Sequence, residues 1–406
     1  MNRPRVILGV SGGIAAYKAC EVLRGLTESG HDVRVVPTRS ALRFVGAATW
    51  AALSGHPVSG EVWDDVHEVP HVRLGQQADL VVVVPATADL LARAAHGLSD
   101  DLLTSILLTA RCPVLYVPAM HTEMWEHPAT STNVALLRSR GALVVEPAVG
   151  RLTGADTGRG RLPDPDEIVG VARDLLAGIT GGADLAGRHV VVSAGGTREH
   201  VDPVRFIGNR SSGRQGYALA RAAVSRGAKV TLVSANSALP DPAGADIVRV
   251  VSAADLRAAV LEAAATADAV VMAAAVADFR PVSYADTKIK KTADGAAPDI
   301  ELTRTDDILA ELSRHRLRDG QVIVGFAAET GDGTGSVLEH GRAKLAAKGC
   351  DLLVVNEVGV DRGFESEDNE AVVLGADGSS TPIPRGPKVV IAHVVWDLVR
   401  DRWADA

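Results

Sequence analysis

Val6-Ile7-Leu8-Gly9-Val10-Ser11-Gly12-Gly13-Ile14-Ala15-Ala16-Tyr17-Lys18 is the stretch on which the fold turns. An apolar run reads as a buried strand, the paired glycines as a tight turn, and the alanine-rich continuation as the start of a helix. A strand that feeds a helix through a glycine turn opens a crossover unit of a parallel sheet. The turn also presents backbone N–H groups and the Ser11 hydroxyl where a phosphate can dock. Two readings of Gly12 and Gly13 stand side by side: an anion cradle, or glycines demanded only by the turn. The spacing departs from Gly-x-Gly-x-x-Gly, and Asp32 falls near the place of a ribose-binding acid, so a nicotinamide cofactor is a further alternative.

The same alternation continues outward. Strands are predicted at 6–10, 32–36, 80–84, 114–117 and 143–146, each followed by a plausible helix. Between 177 and 187 periodicity is lost and glycine collects, as in linkers. A second series then runs through 190–193, 229–233, 246–251, 269–272, 321–324 and 352–355. The expectation is an α/β chain of two doubly wound, Rossmann-like domains, 1–183 and 184–406. No fixed repeat is visible and the halves carry different glycine motifs, which points to a fusion of two functions.

A chain of 406 residues suits two or three domains with ample core. Its net charge of -8 and pI near 5.9 argue against an extended nucleic-acid surface, so its basic clusters read as local anion sites. Cys20, Cys112 and Cys350 are odd in number and far apart, which fits neither a disulfide framework nor a zinc site. A reducing cytoplasm is expected. No apolar run reaches the length of a membrane span, and no leader of the usual length precedes the first strand.

Gly208-Asn209-Arg210-Ser211-Ser212-Gly213 precedes a predicted helix at 215–226, and Lys288-Ile289-Lys290-Lys291 follows some way downstream. Together they suggest a site for phosphates and an activated carboxylate, reinforced by Arg205, Arg210 and Arg214. Arginine at a helix start opposes the helix dipole, so a solvated polar loop is the competing reading. Lys344 and Lys348, four apart in a helical run over 337–348, project from one face toward a common anion. A triphosphate is the natural occupant, against a merely solvated basic face.

Thr38-Arg39-Ser40-Ala41-Leu42-Arg43-Phe44, Pro85-Ala86-Thr87-Ala88-Asp89 and Pro118-Ala119-Met120-His121-Thr122-Glu123-Met124-Trp125 all lie just past strand C-termini, the edge where open α/β sheets bind ligands. With the first glycine turn, they resemble the flavin-binding cysteine decarboxylases, specifically the phosphopantothenoylcysteine decarboxylase half of the bifunctional coenzyme A biosynthesis proteins. The resemblance spans roughly residues 5–178. It implies a flavodoxin-like domain holding FMN, its phosphate near Ser11, Gly12, Gly13 and Ile14, with Thr38, Pro85, Ala86, Thr87 and Met120 around the rest. His71, in a His-x-x-Leu-x-x-x-Ala-Asp-Leu context, matches the family's active-site histidine, a group suited to proton exchange near neutral pH. His67, His96 and His127 read as surface or packing residues. The implied chemistry is flavin oxidation of the substrate's thiol end to a thioaldehyde, loss of CO₂ into that electron sink, and return of the electrons. The product is 4'-phosphopantetheine, and no metal is needed.

His121, Gly154 and Asp156 fall in the implied substrate region. Two of them depart from the family. His121 replaces an Asn, and Gly154, within Gly150-Arg151-Leu152-Thr153-Gly154-Ala155-Asp156-Thr157-Gly158-Arg159-Gly160-Arg161, stands where a flap frequently carries a catalytic Cys. An alternative proton donor is expected, and Cys112, just ahead of a strand, is a poor substitute.

Ala194-Gly195-Gly196-Thr197-Arg198-Glu199, the 202–213 segment, Ala273-Ala274-Ala275-Val276-Ala277-Asp278-Phe279, Gly325-Phe326-Ala327-Ala328-Glu329-Thr330 and the two downstream lysines look like phosphopantothenate–cysteine ligase over roughly 188–395. The resemblance implies CTP on Ala273, Ala274, Asp278, Lys288, Asp307, Ile308, Phe326, Lys344 and Lys348, and phosphopantothenate on Asn209, Arg210, Ser211 and Ser212. Mg²⁺ is implied at the phosphates, with no ligands assigned to it. An acyl-cytidylate would form first, held by Asn209, and cysteine would then displace CMP while Lys288 neutralises charge. Lys290 and Lys291 read as flap charges. The halves thus imply consecutive steps, ligation of cysteine to phosphopantothenate and decarboxylation of the product, and the resemblance implies a homo-oligomer of trimeric decarboxylase units and dimeric ligase units forming a dodecamer. The rivals are an NAD(P)-dependent two-domain oxidoreductase and a flavin-binding regulatory subunit.

Overall fold

A computed structural model describes residues 3–58, 70–152, 156–178, 184–290, 299–329, 336–357 and 368–404. Gly154, His67, Lys291, Thr330 and part of the 177–187 linker lie outside the described residues. The chain separates into two compact units, Met1–Ala183 with Pro242–Gly244, and Asp184–Asp241 with Ala245–Ala406.

The first unit is built on β1 (Arg5–Val10), β2 (Asp32–Pro37), β3 (Leu80–Ala86), β4 (Val114–Pro118) and β5 (Leu143–Val144), followed by an antiparallel hairpin of β6 (Ala148–Arg151) and β7 (Thr157–Arg161). The five-stranded sheet is parallel in the order β2-β1-β3-β4-β5. That is the flavodoxin order, and its direction of winding reverses between β1 and β3. Strands covered on both faces read as continuous apolar runs, and β3 is buried at all seven positions. Leu23, Trp50 and Ile168 pack on one face, Leu90, Leu103 and Ile106 on the other. The expected helix after the glycine turn begins as a 3₁₀ turn at Ile14–Lys18 and becomes α-helical only over Ala19–Glu28. β5 is shorter than the 143–146 expected. Pro147 supplies no ladder N–H, and the Glu146 carboxylate instead accepts from Arg138 at 2.7 Å.

The second unit contains β8 (His189–Gly195), β9 (Arg198–His200), β10 (Phe206–Gly208), β11 (Lys229–Ala235), β12 (Ala245–Val250), β13 (Ala269–Met272), β14 (Phe279–Pro281), β15 (Leu302–Arg304), β16 (Val322–Glu329), β17 (Leu352–Glu357), β18 (Asp368–Gly375) and β19 (Ser380–Pro387). Eight of them form one sheet, β12-β11-β8-β13-β16-β17-β18-β19. Its first six strands are parallel in the Rossmann order, with a reversal between β8 and β13. β18 and β19, beyond the last strand predicted from the sequence, run antiparallel at the edge. β9–β10 and β14–β15 are separate two-stranded ribbons. β12 starts and ends one residue earlier than expected, and β16 runs well past 324, to Glu329.

The helix expected at 215–226 spans Arg214–Ser225, because Gly213 occupies the N-cap position with φ 75°. Arg226 thereby falls just past the helix end. It is fully buried, its Nη2 lies 2.6 Å from Asp184 and 2.8 Å from Asp397, and its Nη1 donates to the carbonyl of His393 at 3.1 Å. A buried guanidinium is tolerated only when paired in this way. Trp396, also fully buried, packs the Lys388–Ala404 helix onto the sheet and donates its indole N–H to Leu219 O at 2.9 Å. Truncating such a side chain to alanine costs about 3–5 kcal/mol.

Candidate active sites

At the β1/β3 reversal, Ser11 is buried, donates its hydroxyl to Pro85 O at 2.7 Å and accepts the Thr87 N–H at 3.0 Å. This hydroxyl ties the loops after β1 and β3 together. Thr87 then caps the helix Ala88–His96. Thr38, after β2, is buried and accepts from the Ala41 N–H at 3.2 Å. The two glycines differ in what requires them. A Cβ on Gly12 would lie 2.3 Å from that of Ser40, so this glycine is fixed by close packing, whereas a Cβ on Gly13 would meet nothing nearer than Thr87 Cγ2 at 3.6 Å. The open side of Gly13, next to exposed Ile14, is therefore the part that fits an anion.

The β6–β7 hairpin seats directly on the loop after β4. Met120 N–H donates to Gly160 O at 3.0 Å, a Cβ on Gly160 would be 2.1 Å from Met120 O, and one on Gly158 would be 2.2 Å from Thr122 Oγ1. Gly160 is thus required for backbone approach, and Gly158 for the close seat of the Thr122 side chain. His121 is the exposed N-cap of the helix Thr122–Trp125, and Asp156 is exposed beside the hairpin. His71 lies in the helix Pro70–Gln77, where its carbonyl accepts from Thr109 Oγ1 at 2.8 Å. Its Nδ1 is buried and lacks a hydrogen-bond partner among the described residues, as does Thr122 Oγ1. Burial pushes the thiols of Cys20, Cys112 and Cys350 up, Cys350 to about 11, so none is a ready proton donor.

In the second unit a cleft of about 950 Å³ opens at the C-terminal ends of β13, β16 and β17. Asn209, Arg210, Ser211 and Ser212 line it from the loop after β10, and Ala273, Ala274 and Asp278 from the loop after β13. Asp307, Ile308, Phe326, Lys344 and Lys348 complete the wall. The loops brace one another: Asn209 Nδ2 donates to Val276 O at 2.7 Å, Ala275 N–H to Gly195 O at 2.8 Å, and Ala277 N–H to Thr197 Oγ1 at 3.0 Å. Lys348 Nζ donates to Asp307 Oδ2 at 2.5 Å, and Asp307 also caps the helix Ile308–Arg314. Burial would raise the Asp307 carboxyl, but the bonds from Lys348 and the Ala310 N–H, with the nearby positive charges, hold it below its ordinary value.

Lys288 stands exposed and off this wall, on a segment fastened to Asp202 through Ile289. Lys290 is exposed as well. Sequence reasoning missed Gln215 and Asn356, which line the cleft with buried amide oxygens lacking partners among the described residues. Such acceptors suit a ligand that brings hydrogen-bond donors. The position of Asn356 at the C-terminal end of a predicted strand was the signal available for it.

Fold and sites define a two-unit α/β protein, a flavodoxin-ordered unit followed by a Rossmann-ordered one with a large cleft. The profile of the family described as Flavoprotein matches residues 1–176, and that described as DNA/pantothenate metabolism flavoprotein C-terminal domain matches residues 185–402. Coenzyme A biosynthesis bifunctional protein CoaBC of Mycobacterium tuberculosis is 62% identical over 401 residues, covering 97% of this chain and 96% of that protein. Its counterpart in Bacillus subtilis is 43% identical over 400 residues, covering 97% and 96%. The crystal structure of the C-terminal domain of a protein of the same name is 35% identical, covers 55% of this chain and 100% of that one, and superposes with a TM-score of 0.46. The chain belongs to the family of bifunctional coenzyme A biosynthesis proteins.

Proposed function

We propose that the chain carries out two consecutive steps of coenzyme A biosynthesis, CTP-dependent ligation of cysteine to 4'-phosphopantothenate in the second unit and FMN-dependent decarboxylation of 4'-phosphopantothenoylcysteine in the first. Family membership supports the pair of activities. The observation that carries the detailed reading is the single cleft joining the Asn209 loop, the loop after β13, and Lys344 with Lys348.

In the ligase unit, Lys344 and Lys348 hold the triphosphate, with Asp278, Asp307, Ile308, Ala273 and Ala274 beside the nucleotide and Phe326 against it. Mg²⁺ carried by the nucleotide would offset phosphate charge there. The phosphopantothenate carboxylate, placed by Asn209, Arg210, Ser211 and Ser212, attacks the α-phosphorus and releases pyrophosphate. The cysteine amine then displaces CMP, and Lys288 balances the charge at that carbonyl.

In the decarboxylase unit, the N–H groups at Gly12, Gly13 and Ile14 with the Ser11 loop hold the FMN phosphate, while Thr38, Pro85, Ala86, Thr87 and Met120 border the cofactor. FMN supplies reversible two-electron oxidation of the thiol-bearing carbon of the substrate. His71 moves a proton at that end, His121 donates a hydrogen bond to the departing carboxylate, and the hairpin seated on Met120 and Thr122 excludes water. The same reading puts the enzyme in the cytoplasm, as trimeric decarboxylase and dimeric ligase units assembled into a dodecamer.

Purified protein given 4'-phosphopantothenate, cysteine, CTP and Mg²⁺ should release CMP, pyrophosphate and CO₂. CMP without CO₂ would select a second reading, a ligase carrying a silent flavin unit, which the Gly at position 154 favours. No CTP-dependent product at all would overturn the proposal.

A further inference from the structure

Asp202 is a carboxylate with no solvent exposure at the turn between β9 and β10. Five donors converge on it. Oδ1 accepts the N–H groups of Val204 and Arg205, each at 2.8 Å, and Oδ2 accepts Arg205 Nε at 2.9 Å, Arg205 Nη2 at 2.6 Å and the Ile289 N–H at 3.2 Å. Arg205 Nη2 in turn donates to Ile289 O at 2.8 Å. Both polar groups of the Ile289 backbone are thus held by one ion pair more than eighty residues away in sequence. The residue before Ile289 is Lys288, and the strand that leaves the Asp202 turn, Phe206–Gly208, ends against Asn209. A single buried carboxylate therefore anchors the segment that carries Lys288 to the turn between β9 and β10, while Asn209 keeps its own brace to Val276.

We infer that Asp202, through Arg205 and the Ile289 backbone, is a positioning residue that presents Lys288 to the ligase reaction. This rests on the reading of the second unit as a ligase in which Lys288 acts. The chemistry suits the task. A lysine on an exposed segment has many rotamers, and a tether on both sides of the adjoining peptide leaves only the side chain itself to search. A carboxylate with this set of donors holds them more tightly than a neutral amide, because the bonds are charge-assisted. Asn in its place keeps the volume and accepts through one oxygen only, so it cannot hold the turn N–H groups, the guanidinium and the Ile289 N–H together.

The test uses the full chain with CTP, Mg²⁺ and 4'-phosphopantothenate. Pyrophosphate release reads the first step, and cysteine-dependent CMP release reads the second. Asp202→Asn is expected to lower kcat of the cysteine-dependent step about 10- to 100-fold, as misplacement of a reacting group does, with KM for CTP changed less than about twofold. CO₂ release from supplied 4'-phosphopantothenoylcysteine should be unchanged. Lys288→Gln should give the same pattern, and Asp202→Asn combined with Lys288→Gln should be no worse than Lys288→Gln alone, since the two act as one unit. Multiplying losses in the double variant, a rise in KM for CTP equal to the fall in kcat, or full turnover in Asp202→Asn would each overturn the inference. Where Asp202→Asn fails to fold, Ile289→Pro removes the donor from the other side of the tether on a segment outside the core, and unchanged kcat in that variant overturns it equally. A wild-type chain that makes no CTP-dependent product refutes the underlying ligase reading instead.

Discussion

Lys348 Nζ and Asp307 Oδ2 are 2.5 Å apart across the wall of the ligase cleft, so this cation already has a carboxylate partner before any nucleotide arrives. A triphosphate brings several oxygens to this pair and can take over the ammonium. Lys348→Met should raise KM for CTP about 10-fold with kcat changed less than about twofold, the signature of lost uniform binding. Steady-state kinetics at two ionic strengths checks it, and the wild type should lose more affinity with salt than the variant.

Ser11 predicts flavin retention. Ser11→Ala removes a hydroxyl that both donates to Pro85 O and accepts from the Thr87 N–H, leaving a backbone donor in a partly buried place without its partner. The cost is about 1–3 kcal/mol, falling on the loop pair that holds the phosphate. The variant should purify with less bound flavin, measured as the ratio of visible to protein absorbance, while pyrophosphate release in the other unit stays at the wild-type rate.

The two hairpin glycines should differ in severity. Gly160→Ala sets a methyl 2.1 Å from the Met120 carbonyl oxygen, which is backbone and cannot rotate away, whereas Gly158→Ala meets the Thr122 hydroxyl, which can. Decarboxylase kcat should fall about 10- to 100-fold for Gly160→Ala and clearly less for Gly158→Ala, with ligase activity intact in both. Equal losses would mean the hairpin does not close on the Met120 loop.

His393 makes the second unit acid-sensitive. Burial, with the Arg226 charge adding to it and Asp397 and Asp184 opposing, lowers its pKa to about 4 from the ordinary 6.5. The folded imidazole therefore stays neutral where the unfolded one takes up a proton. The stability it contributes is complete above about pH 6.5, falls as pH drops, and is lost by about pH 4, a change of roughly 3 kcal/mol. Hydrogen exchange at amides of the Lys388–Ala404 helix, followed between those pH values, should show this slope in the wild type and a flatter one in His393→Leu.

Much of this architecture is legible in the residues because buried parallel strands announce themselves. The runs around 6–10, 80–84 and 269–272 are apolar on both faces, and each became a strand of the parallel sheets. β19 was hidden because Pro382, Pro384 and Pro387 make Ser380–Pro387 read as a loop, although an edge strand tolerates prolines whose missing N–H would face outward. The ribbons β9–β10 and β14–β15 are three residues per strand, too short for periodicity to register. In the ligase cleft, the residues named from the sequence were those on loops after strands, a placement topology dictates, and two lysines spaced four apart on the helix 337–348. The Asp202 carboxylate, the Lys348–Asp307 pair and the unpartnered oxygens of Gln215 and Asn356 depend on side chains meeting across long sequence separations, which spacing alone does not encode.

The clamp on Arg226 also decides where the two activities can be parted by cutting the chain. Asp184, near the start of the second unit, and Asp397, on its final helix, grip the same buried guanidinium. An excised ligase beginning at 185 or 188, where the profile and the resemblance respectively begin, discards one of those grips and leaves Asp397 and the His393 carbonyl to hold the buried cation, at a cost of about 1.5–3 kcal/mol. Surgical separation must spare position 184, and a fragment that melts early for want of it would say nothing about whether the cleft can bind or turn over its nucleotide.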